Sequence, residues 1–175
     1  MANSLNGLAN LYFQQGKYAE AEVFYQRALQ IWEQEVGTEH PEVADLLYNL
    51  AMIYSDQGKY EQAELLYQRA LRTWEQAFGT EHPDVAYALS GLANLYSELG
   101  KYVEAEALYQ RALCIREQAL GVEQPEVADL LYNLAVLYRQ QKKYDQAEEL
   151  YQRALRIWEQ GLGADHPLVQ IKTRR

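Results

Sequence analysis

Every 42 residues the chain returns to the same point: Gly16-Lys17-Tyr18, Gly58-Lys59-Tyr60, Gly100-Lys101-Tyr102 and Lys142-Lys143-Tyr144 hold equivalent places in four successive copies. A unit of this length is one supersecondary element that cannot bury its own apolar face. Copies must therefore stack on their neighbours, and the surface the stack creates is the natural place for function.

Each copy reads as two helices joined by a tight turn. In the second copy Pro41 suits the first turn of a helix, where its missing N–H would be unpaired anyway, and Glu42 complements that helix's positive end. Leu47, Leu50, Ala51 and Tyr54 follow at spacings of three and four, one face of an amphipathic helix. Gly58 ends it as a left-handed residue. A second helix carries Tyr60, Ala63, Leu66, Tyr67, Ala70, Leu71 and Trp74 until Gly79 closes it. All four prolines, Pro41, Pro83, Pro125 and Pro167, share one repeat position and so mark the helix starts. In the fourth copy Lys142 replaces the turn glycine, which predicts a weaker or differently shaped turn, because a left-handed non-glycine costs about 1 kcal/mol or more. Alanines recurring at 9/51/93/135, 21/63/105/147 and 28/70/112/154 predict close helix approach, with Leu and Tyr filling the space between.

The pattern Leu50-Ala51, Tyr54, Gly58-Lys59-Tyr60, Ala63, Tyr67, Ala70-Leu71 resembles the tetratricopeptide repeat. The 42-residue spacing and the Glu-His-Pro connector resemble its kinesin-light-chain-like subclass. The resemblance implies an all-α fold, a right-handed α-solenoid of four stacked helix-turn-helix repeats over residues 3–44, 45–86, 87–128 and 129–170 of a single array, 1–175. It also implies a protein or peptide as partner, and a concave groove lined by the first helix of each repeat.

Repetition separates stacking residues from recognition residues. Twelve of the fifteen tyrosines fall in three repeated sets, 12/54/96/138, 18/60/102/144 and 25/67/109/151, and read as core. The remaining three, Tyr48, Tyr87 and Tyr132, lie on first helices away from that face. All six asparagines, Asn3, Asn6, Asn10, Asn49, Asn94 and Asn133, lie on first helices on the same side, against helix propensity by a few tenths of a kcal/mol each. An amide carries both donor and acceptor, so a row of them can pair with the backbone of an extended peptide while tyrosines supply contact area. Asn49-Leu50-Ala51 and Asn133-Leu134-Ala135 match the family pattern whose asparagine contacts a bound main chain in relatives; copies one and three have Gly7 and Gly91 there instead. Copies one and three resemble each other, as do two and four, so the true unit is expected to be an 84-residue pair. The expected groove comprises Asn6, Asn10, Tyr48, Asn49, Met52, Tyr87, Ser90, Asn94, Tyr132, Asn133, Val136 and Arg139. Its charges, Asp45, Asp56, Glu98 and Asp129 against Arg139, lack the lysines with which some family members clamp a carboxylate. A neutral or mildly basic extended segment fits it best.

The net charge of −9 argues against nucleic acid, whose phosphates demand clustered Lys and Arg. Charge is uneven: −4 over residues 1–44, −7 over 45–128 and +2 over 129–175. No run approaches the roughly 18 apolar residues of a spanning helix, so no membrane partner is expected. The single Cys114 excludes an internal disulfide, and the opening segment lacks a basic start and a long apolar run, so the expected location is cytoplasmic. His40, His82 and His166 each precede a repeated proline and read as connector residues, spread too far apart to share a metal. Neither a catalytic pair nor a phosphate loop stands out, so no enzyme activity and no cofactor is expected. Trp32 and Trp74, with Arg116 in copy three, are expected to cover the next repeat's first helix; Trp158 shares the position but differs, because nothing complete follows it.

The array begins within a first helix and stops at Pro167-Leu168-Val169-Gln170, as if cut from something longer. Open ends suggest an alternative role, end-to-end self-association of a structural scaffold, sensitive to Leu168 and Trp158.

Overall fold

The computed structural model describes residues 1–162. Among them are eight helices and no strand: α1 (Ala2–Gln14), α2 (Tyr18–Val36), α3 (Pro41–Asp56), α4 (Tyr60–Phe78), α5 (Pro83–Glu98), α6 (Tyr102–Leu120), α7 (Pro125–Gln140) and α8 (Tyr144–Leu162). Four pairs make an all-α helical-repeat solenoid. The chain divides into two compact units, Met1–Leu95 and Tyr96–Arg175.

In the first unit α1 packs on α2, α2 on α3, and α3 on α4. Its core joins Leu5, Ala9, Ala21, Tyr25 and Ala28 to Leu46, Leu50 and Ile53. In the second unit α6 packs on α7 and α7 on α8, and Val127, Ala128 and Leu131 meet Ala154, Ile157 and Trp158. The recurring alanines are buried in every described copy, as expected of close helix approach.

The turns obey the sequence. Gly16, Gly58 and Gly100 are left-handed, with φ between 72° and 74°. Lys142 adopts the same conformation at φ 60°. Its turn keeps the shape of the others: Lys142 N–H bonds Arg139 O at 3.0 Å and Lys143 N–H bonds Tyr138 O at 2.9 Å, as Gly58 and Lys59 bond Ser55 and Tyr54. The strain is retained and the shape is not altered. The lysine that follows each turn stands over the tyrosine closing the preceding helix, Lys59 over Tyr54 at 4.9 Å and Lys143 over Tyr138 at 5.0 Å from the ring centroid.

Two expectations need correction. The tyrosines of the turn motif are not core: Tyr18 and Tyr144 are exposed, because they open the second helices at the edge of the packed layer. The tryptophans do not serve the next repeat alone. Trp74 packs on Tyr48 of its own repeat's first helix, and Trp158 packs on Tyr132 of its own. Trp32 stacks on His40 in the following connector, centroids 5.8 Å apart. The indole at these positions starts near the end of a second helix, so its reach takes it back across the hairpin.

Candidate functional site

The histidines have a role that spacing alone did not reveal. His40 Nδ1 accepts the Glu42 N–H at 3.3 Å, and His82 Nδ1 accepts the Asp84 N–H at the same distance, capping α3 and α5. Gln124 makes no such bond at the start of α7. His166 lies outside the described residues. Among the described residues no group of three or more His, Cys, Asp or Glu side chains could hold a metal ion, and no helix is long and apolar enough to cross a membrane.

The expected groove residues behave in three ways. Some are held within their own repeats. Asn10 Oδ1 accepts the Tyr25 hydroxyl proton, and Ser90 Oγ bonds back to the Ala86 and Tyr87 carbonyls at 2.9 Å each. Asn6 holds its Oδ1 buried without a partner. Others remain available: Asn49 and Asn133 are half-buried and make no hydrogen bond with any described residue, and Met52 and Val136 are half-buried beside them on the same helices. Arg139 is exposed, and Asn94 is exposed but engaged by another residue. Asn49 and Asn133 occupy the same register in copies two and four, so the 84-residue alternation legible in the sequence is carried into side-chain availability.

The third group is aromatic. In the first unit Tyr48 is a hub, its ring centroid 5.6 Å from Tyr67, 5.9 Å from Trp74 and 6.1 Å from Tyr87, all tilted. Trp74 and Tyr67 are buried, Tyr48 is half-buried and Tyr87 is 44% exposed, so the cluster has a closed floor and an open rim. Gly91 makes the floor possible. A Cβ there would lie 2.5 Å from Tyr67 Cε1. In the second unit Tyr132 repeats the pattern, 5.4 Å from Tyr151 and 5.7 Å from Trp158.

Beside the first cluster stands Asp45. Burial, followed by the charges of Glu42 and Asp84, pushes its carboxyl up to about 6; the nearby Trp74 indole opposes the shift. That indole N–H is buried and makes no hydrogen bond of standard geometry. Asp45 nevertheless reaches solvent, and no described cation lies within ion-pair distance of it. Sequence reading named Asp45 as a groove charge. It could not show that the group is crowded by other acids, because Asp84 comes from another repeat.

Second helices carry a separate set of contacts that spacing did not suggest. Arg69 pairs with Glu33 and Arg153 with Glu117, both at 2.6 Å across 36 residues. Lys143 pairs with Glu106 at 3.3 Å. The two arginine pairs tie neighbouring second helices, and the Lys143 pair ties α6 to the turn before α8. Trp158, one of two residues expected to mediate end-to-end association, is only 4% exposed and committed to its own core. Leu168 lies outside the described residues.

Paired helices with an alanine-lined interior and left-handed turns every 42 residues define a helical-repeat protein. The tetratricopeptide repeat model matches residues 1–75 and 46–118, and a second tetratricopeptide repeat model matches 127–168; the chain belongs to the tetratricopeptide repeat family, with repeats of the kinesin-light-chain-like kind. It is similar to BtubC (BKLC) from P. vanneervenii, at 31% identity and a TM-score of 0.82 over 95% of this chain, and spans 66% of that protein's structure. It is similar also to a Podosopora anserina kinesin-light-chain-like protein of nearly identical TPR-like repeats, at 25% identity and a TM-score of 0.79, covering 97% of this chain and 81% of that one. The apo form of RapI shares the fold at 18% identity and a TM-score of 0.80, over 91% of this chain and 56% of its own. Comparison with curated proteins gives no match. Proteins of this family are generally non-catalytic scaffolds for protein interaction.

Proposed function

We propose that this chain is a cytoplasmic protein-interaction scaffold that holds an extended peptide segment against the face of its first helices. The supporting observation is the state of Asn49 and Asn133. Both amides are half-buried, oriented by a helix, and bonded to no described residue. A fixed amide with donor and acceptor unused suits the backbone of an extended segment, whose N–H and C=O need partners when water is displaced. The tyrosines beside them supply contact area with little loss of side-chain freedom.

Displaying random twelve-residue peptides against the chain, and in parallel against an Asn49→Ala/Asn133→Ala variant of verified fold, tests this. Peptides enriched on the parent should lose at least tenfold in affinity on the variant, about 1.4 kcal/mol. Binding indifferent to both asparagines would sink the amide-pairing mechanism.

A further inference from the structure

The first helices of the Met1–Leu95 unit carry charge of one sign. Along α1, α3 and the part of α5 within that unit there is no Lys or Arg, while Glu42, Asp45, Asp56 and Asp84 are all acids. Two of these stand one turn ahead of the rim tyrosines: Asp45 precedes Tyr48 on α3, and Asp84 precedes Tyr87 on α5. Residues three apart share a helix face. The rings meet at 6.1 Å, and the two carboxylates are close enough for Asp84 to disfavour the charge on Asp45.

We propose that the Tyr48–Tyr87 cluster with Asp45 is a pocket for the cationic side chain of a bound segment, arginine in preference to lysine. The inference rests on the first-helix face being the peptide-binding surface, and it names what that surface selects. Tyrosine faces attract a cation placed over them, and the neighbouring carboxylate supplies the counter-charge the aromatic ring lacks. A planar guanidinium can lie on a ring while its edge meets a carboxylate, which a compact ammonium does less well. The buried floor of Trp74 and Tyr67 removes water from one side, so the attraction is screened less than at an open surface. Asp45 behaves as such a site requires: it is accessible, crowded by acids and unneutralised. His82 Nδ1 lies 3.5 Å from Asp84 Oδ2. In the second unit Tyr132, Tyr151 and Trp158 repeat the aromatic part of the arrangement, with Asp129 at the repeat position of Asp45 and Ile171 standing in sequence where Tyr87 would recur.

The test uses the full chain and the same random twelve-residue library at pH 7.5. Enriched peptides should share a basic residue. Its replacement by citrulline, the neutral isostere of arginine, should weaken binding at least tenfold, and replacement by lysine by less. Asp45→Asn should lose the same factor, and Tyr87→Ala, at the exposed rim where folding is not at stake, several-fold. Peptides that depend on Asn49 and Asn133 but bind Asp45→Asn and the citrulline form unchanged would overturn the cation pocket and leave the groove standing. Failure to enrich any peptide would overturn both.

Discussion

Gly91 and Gly7 occupy the same repeat position 84 residues apart, and one substitution should act on them with opposite sign. In an exposed helix interior, Gly→Ala removes conformational freedom from the unfolded chain and stabilises by about 1 kcal/mol. At Gly7, on α1, a Cβ meets nothing within 4 Å, so Gly7→Ala should show that gain. At Gly91 the same Cβ would lie 2.5 Å from Tyr67 Cε1, 2.8 Å from Cζ and 3.0 Å from Cδ1. The Tyr67 ring is 4% exposed and already braced by Tyr48, so it cannot swing aside cheaply. Overpacking of this kind costs about 1–3 kcal/mol. The two variants share the propensity gain, so their difference isolates the steric cost. Gly91→Ala should fall below Gly7→Ala by about 1–3 kcal/mol, which for a chain of this length is a melting-temperature gap of about 2–4 °C per kcal/mol. Urea unfolding followed by far-UV circular dichroism gives the free energies. Equal stabilisation by the two substitutions would refute the claim that Gly91 exists to admit Tyr67.

Other substitutions probe separate parts of the same account. Lys142→Gly should stabilise by about 1 kcal/mol, since it relieves a left-handed lysine without altering turn hydrogen bonds; a loss on thermal melting would contradict the strain. Asp45 has a folded-state pKa of about 6 against 3.8 for the free group. The folded protein therefore holds that proton more tightly than the unfolded chain, and this group's contribution to stability falls as pH rises between those values. Asp45→Asn should raise the unfolding midpoint at pH 7.5 and change it little at pH 4, while it weakens peptide binding; a variant destabilised at pH 7.5 would show that Asp45 is held by a partner. A double-mutant cycle on Arg69 and Glu33, which are partly exposed, should give a coupling of about 0.2–1 kcal/mol that shrinks in high salt; salt-independent coupling would mark the contact as packing and not charge.

The 42-residue period, the prolines at helix starts, the left-handed turns and the alanine stripes were all legible from the chain, because each follows from local backbone preference or from periodicity along one helix. So was the alternation of copies, which surfaces in the structure as the half-buried Asn49 and Asn133 against the glycines of copies one and three. Tertiary structure decided what each side chain is available to do. Nothing in a linear pattern says that Tyr25 engages Asn10, that Ser90 bonds to its own helix, or that Trp74 turns back onto Tyr48, since these depend on where a second helix lands across a hairpin. Asp45 shows the division most clearly: its identity and helix face are written in the sequence, but its crowding by Asp84 arises only when α5 is laid beside α3, because electrostatic energy depends on distances in space and not along the chain.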